Sequence, residues 1–295
     1  MNIWVWMFLS ADSLILFNKF IMRLSTRARA ILIALTITWV FIALRGVNFV
    51  ELLEVDFPFD FIKLFIISIL MYVGSFWVLN YRVKGERFFT VLLFPSLAIF
   101  ILLLYIELII NSIFGTVGRF VTEVFASILV MTVSYVLILT TNILNIGYLE
   151  KIPLTQAGRA AHYVLTLIST YLFFSIIFSN SLPAIIKFIA VGVISYLFTS
   201  IALWTIDLRF NQRLISSLGI TLMMVLASFV LLIWPIGSEY LSLILSLFYY
   251  MALGIALEIR EVLNKRIWIE YVFLYIVIVI ILLLISNWGI NGRLV

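Results

Sequence analysis

Residues 271–286 read YVFLYIVIVIILLLIS, sixteen positions without one charged side chain. A bilayer core about 30 Å thick is crossed by a helix of roughly 20 apolar residues, and this stretch with its flanks has that length. At roughly −0.3 to −0.6 kcal/mol per central apolar residue, it favours insertion by several kcal/mol on its own. Similar apolar runs, bounded by polar or charged clusters, fall at about 30–45, 61–80, 89–110, 120–142, 160–180, 184–205, 214–235 and 239–258. With a ninth at 268–287 they leave only short connections in a chain of 295 residues. Charged residues make up 11% of the chain, against about 25% in soluble domains, so polar groups could not cover its apolar surface in water. The sequence predicts an all-α integral membrane protein, a polytopic bundle of nine to ten transmembrane helices.

Residues 3–22 decide between nine and ten. Two apolar stretches flank Ser10-Ala11-Asp12-Ser13. A central Asp costs ~2.5–3.5 kcal/mol on the insertion scale, which about eleven apolar residues offset. An interfacial helix with Asn18, Lys19 and Arg23 toward the headgroups is the other reading. The division is therefore 1–29, an extra span or interfacial helix, and 30–295, a nine-span bundle. No positive charge precedes the apolar residues 3–9, so no cleavable signal is expected.

Lysines and arginines set the orientation. With the segment before residue 30 inside, 14 of the 19 fall on inner connections and 5 on the other face, namely Arg45, Lys63, Arg119, Lys187 and Arg293. The positive-inside rule selects this arrangement, in the cell (cytoplasmic) membrane, with the C-terminus outside. The N-terminus is outside if 3–22 span, and cytoplasmic otherwise. Trp77, Trp204 and Trp268 then lie at inner ends, Trp234 and Trp288 at outer ends, where the amphipathic ring is favoured. Because the net charge of +5 is spread over helix ends rather than one basic face, no nucleic-acid partner is expected.

A weak internal regularity is present. Lys63 and Tyr72 stand nine residues apart in one span, Lys187 and Tyr196 in another, and Thr122-Glu123 and Ser238-Glu239 open spans two further on. That pattern fits two parallel four-helix units, 61–180 and 184–288, as some transporters contain.

Ionisable groups inside a span mark function by default, whereas those near span ends are cheap. Arg119, Glu123 and Ser127 repeat every four residues and share a helix face that Ser134 and Thr141 extend inward. This outer polar stripe reads as a vestibule, or as interhelical pairing such as Lys63 with Glu107. The inner connection from Asn142 to Arg159 reads as the longest loop, punctuated by Pro153 and Gly158, with the next helix starting near Gly158. Gln156, Arg159 and His162, with Thr166 and Ser169 continuing the face, form the candidate ligand site there. They would take an anionic headgroup or phosphate.

Glu54-Val55-Asp56 has the acid-x-acid spacing that holds a divalent cation on a pyrophosphate-linked donor. It resembles the acidic motif in the first outer loop of the large membrane glycosyltransferases that use lipid-linked sugars. The resemblance covers three residues, and those enzymes are much longer. It implies a metal at Glu54 and Asp56 and transfer from a lipid-linked substrate.

The chain has no cysteine, one histidine, and no HExxH, GxSxG or phosphate-loop pattern. No cofactor is expected. Thirteen Gly and five Pro, with Pro95 alone inside a span, favour continuous helices over the broken ones of rocking transporters. The order of readings is a non-catalytic subunit or scaffold that binds membrane partners or anionic lipid, then a secondary transporter or channel, then a lipid-linked transferase.

The orientation has a clean test, because any introduced cysteine is unique. Lys84→Cys is expected to resist an impermeant thiol reagent in intact cells and to react after permeabilisation. Labelling from outside would reverse the topology.

Overall fold

A computed structural model of the chain describes residues 25–45, 61–79, 85–110, 119–150, 154–206, 210–234, 236–258 and 265–285. Among these residues every element is helical: α1 (Thr26–Arg45), α2 (Phe61–Val78), α3 (Glu86–Tyr105), α4 (Arg119–Glu150), α5 (Leu154–Ser179), α6 (Ala184–Trp204), α7 (Phe210–Ile233), α8 (Ser238–Glu258) and α9 (Lys265–Ile285). Eight, α1 to α8, are long and apolar enough to cross a membrane, while α9 adds a shorter apolar stretch at Ile269–Ile281. The architecture is that of a helical membrane bundle. Residues 3–22 and 46–60, which carry the tenth-span question and Glu54 and Asp56, lie outside the described residues.

Helices rather than strands follow from the solvent. In hydrocarbon each backbone N–H and C=O must be paired within its own segment or in a closed barrel. Outward faces are apolar, as at Trp39, Phe120 and Ile185, where lipid replaces water as the contact.

α3 and α5 sit at the centre. α3 packs against α2, α4, α5 and α6, and α5 against α3, α4, α6 and α8. α1 lies on α2 and α4, α7 on α6 and α8, and α9 on α8. Close approach depends on small residues, as usual between membrane helices. A Cβ at Gly74 would stand 2.7 Å from Ile33 of α1, and one at Gly158 2.7 Å from Ile143 of α4. Gly85, at φ 66°, sits before α3 in a conformation that costs only glycine nothing.

The stretch read as a long inner loop is largely helical. α4 continues through Asn142 and Gly147 to Glu150, and α5 opens at Leu154, directly after Pro153. Packing overrides the low helix propensity of Asn and Gly, because Leu144, Asn145 and Gly147 are buried. Gly158 marks a close contact with α4 rather than a helix start.

α9 is held near one end by an aromatic cluster. The Tyr163 hydroxyl donates to Tyr250 O at 2.7 Å, and the Tyr250 ring lies 5.4 Å from Tyr163 and 6.2 Å from Tyr271. Gly254 admits this cluster, since a Cβ there would collide with the Tyr271 hydroxyl and come within 3.0 Å of that of Tyr163. Gly254→Ala is expected to cost about 1–3 kcal/mol by overpacking. Thermal unfolding in detergent checks it: Gly254→Ala/Tyr271→Leu should lose less stability than the sum of the single changes.

Candidate functional site

Three places combine polar side chains with burial or space. The first surrounds His162. Its imidazole is 2% exposed, and the Phe94 ring of α3 meets it edge-on with centroids 4.0 Å apart. Phe94, Thr141 and His162 each lie six residues from the nearer end of their apolar spans, at Phe88, Gly147 and Gln156. At 1.5 Å per residue that places all three roughly 9 Å from the predicted inner end. Thr166 Oγ1 donates to His162 O at 2.8 Å and stands 3.4 Å from His162 Nδ1. Asn145, one turn from Thr141, is buried with its Oδ1 unpaired. A small cavity touches Val91, Phe94, Thr141, His162, Trp204 and Thr205, and leaves about 10 Å³ for the centre of a water molecule.

The second place is a groove between the first turn of α1 and one face of α4, with about 470 Å³ of space. Its α4 wall is Tyr135, Leu139, Asn142, Ile143, Ile146 and Gly147, in which Tyr135, Leu139, Asn142 and Ile146 follow one another at helical spacing. From Tyr135 to Gly147 the axis rises roughly 18 Å. All but Gly147 are half-buried, so the groove lies at the bundle surface. Arg27, exposed, stands at its α1 end with Ser25.

The third place is the predicted outer end. After Tyr105, α3 passes into a π-helical turn, Ile106–Ile110. Such turns are rare and gather at functional sites. Glu107 of this turn pairs with Arg45 of α1, Nε to Oε1 3.5 Å, and the Arg45 guanidinium also covers the Phe41 ring at 5.0 Å. Tyr105 interacts with Ser175 of α5, and Tyr171 of α5 and Glu239 of α8 lie within its electrostatic range. Glu123 and Ser127 are half-buried, and Ser127 Oγ donates to Glu123 O at 2.7 Å. The buried face of α4 runs one residue off that stripe, through Thr122, Ala126, Val130, Ser134 and Thr141. Arg119 is placed only as the first residue of α4.

The structure does not bring the inner trio together. Gln156 and Arg159 are exposed, whereas His162 turns into the bundle. Among the described residues no group of three or more His, Asp or Glu side chains is placed to hold a metal ion. Phe94 and Thr141 are neighbours of His162 that no local spacing groups with it, and their shared depth is the available signal once their spans are taken as neighbours. Comparison with known protein families, curated proteins and solved structures found no match, so function rests on this geometry.

One hydrogen bond tests whether the core is as tightly made as it looks. Tyr249 Oη and Thr199 Oγ1 lie 3.2 Å apart, both fully buried, between α8 and α6. A double-mutant cycle of Tyr249→Phe and Thr199→Val is expected to give a coupling of about 0.6 kcal/mol, the mean for such bonds in membranes. Denaturant unfolding in micelles measures it, and zero coupling would remove the bond.

Proposed function

We propose that the chain is a non-catalytic, membrane-embedded subunit or scaffold that holds anionic lipid, and through it membrane partners, on its flank. The reading includes α9 as the ninth span and residues 3–22 as a tenth. It sets the arginine-rich ends on the cytoplasmic side of the cell membrane, with the C-terminus outside. It keeps two four-helix units, 61–180 and 184–288, as the internal plan.

The observation that carries it is the α1–α4 groove. Its walls are mostly apolar over a length suited to an acyl chain, and its one charged lining residue is Arg27, beside Ser25 and Thr26. A guanidinium at the predicted inner surface attracts an anionic headgroup, with about 1 kcal/mol per basic residue near such a surface. Arg159 and Gln156, exposed on α5, offer a second charged contact for the same leaflet.

A secondary transporter or channel is the second reading, favoured by the two irregularities of the central helix, Pro95 and the π-turn. Transfer from a lipid-linked substrate rests on Glu54 and Asp56 alone.

Native mass spectrometry in mild detergent separates these readings. Arg27→Ala is expected to lower retention of anionic phospholipid about fivefold, the equivalent of roughly 1 kcal/mol. Arg159→Ala should lower it less. Equal retention by wild type and both variants would end the lipid-scaffold reading.

A further inference from the structure

We propose that the cavity beside His162 is a binding site for one water molecule, which joins the imidazole to the carbonyl that Pro95 leaves open. Pro95 lies inside α3 and has no N–H, so the Val91 carbonyl four residues earlier loses its helical donor. An unpaired carbonyl away from water carries a desolvation cost that native proteins rarely leave uncompensated. Val91 lines the cavity together with His162, Thr141 and Thr205.

The space matches the occupant. About 10 Å³ is open to a water's centre, close to the roughly 10–15 Å³ that one buried water needs. A second heavy atom would not fit. The polar partners match as well, since a buried water makes two to four hydrogen bonds. Thr141 Oγ1 donates to Leu137 O and Thr205 Oγ1 to Ala202 O, each at 2.7 Å, so both hydroxyls spend their proton on their own helix and keep acceptor lone pairs. A neutral imidazole presents one N–H and one acceptor nitrogen. The 3.4 Å approach of Thr166 Oγ1 to Nδ1 is too long to satisfy the ring well. Water supplies what is missing on both sides, donating to Val91 O and Thr141 Oγ1 while accepting from the ring N–H. It thereby ties α3, α4 and α5 together, while Thr205 at the end of α6 bounds the space.

The single histidine makes the test specific. Protein carrying ¹⁵N-histidine, reconstituted in bilayers, gives signals from one imidazole, and solid-state NMR can follow magnetisation passed to it from water. Transfer to the His162 ring is expected in the wild type. It should be lost in Thr141→Val, which keeps the shape and removes a partner, and in Thr205→Ile, which fills the space. Thermal unfolding identifies any variant that fails to fold, and the surviving one decides. No transfer in the wild type would overturn the proposal. So would undiminished transfer in a folded variant, because the ring would then be reached by bulk water.

Discussion

A backbone that enters hydrocarbon must close its own hydrogen bonds, and the rest of this structure is arranged around that requirement. Many of the hydroxyl-bearing residues obey it too, although Ser75, Ser134, Ser195 and Ser217 are buried without a partner. Thr38, Ser68, Thr141, Thr166 and Ser242 are buried, and each donates to the carbonyl four residues earlier in its own helix. A hydroxyl closed in this way asks nothing of a neighbouring helix. It can sit in the core as a small side chain, letting helices approach as Gly74, Gly158 and Gly254 do.

Polar groups that cannot close on their own helix are fewer and mark the places of interest. Tyr249 reaches across to Thr199, Arg45 to Glu107, and the Arg29 guanidinium lies 5.9 Å from the Trp77 ring. Tyr163 likewise reaches Tyr250 O and Tyr72 reaches Phe88 O, while His162 and Asn145 lie near the predicted inner end. Among the described residues they lie at separate depths rather than along a continuous polar track. A solute path needs such a track, which is why the surface groove, and not the core, carries the functional reading.

The spans were legible because runs of about twenty apolar residues between charges leave few alternatives. The connection from 142 to 159 was not. Gly147, Pro153 and Gly158 are ordinary loop punctuation, yet Gly147 is buried inside α4 and Gly158 serves a close contact between α4 and α5 that only the assembled pair reveals. His162 was conspicuous as the sole histidine, but its grouping with Arg159 assumed that three residues of spacing mean one environment. The two side chains differ by roughly 60° around the helix, enough to put one in the core and the other outside. The Arg45–Glu107 pair joins α1 to α3, and no spacing along the chain encodes it.

α3 shows how the two leading functional readings differ in physical terms. It carries both irregularities, Pro95 toward the predicted inner end and the π-turn beyond Tyr105, with a buried segment between them. Helix breaks serve motion when the pieces can shift against their surroundings. Here four helices pack on α3, Phe94 beside the proline is wedged against His162, and Glu107 in the π-turn is paired to Arg45. Moving either piece would disturb close packing around Phe94 or break the Arg45–Glu107 pair. The least-held element is instead α9, which packs on α8 and buries Ile278 alone among its described side chains. Displacing α9 costs the Tyr163–Tyr250–Tyr271 cluster, the edge-on contact of Tyr275 with Phe248 and the burial of Ile278. Movement in this bundle therefore enters most cheaply at its edge, which suits a surface that exchanges lipid or partner helices better than a core that rocks around a solute.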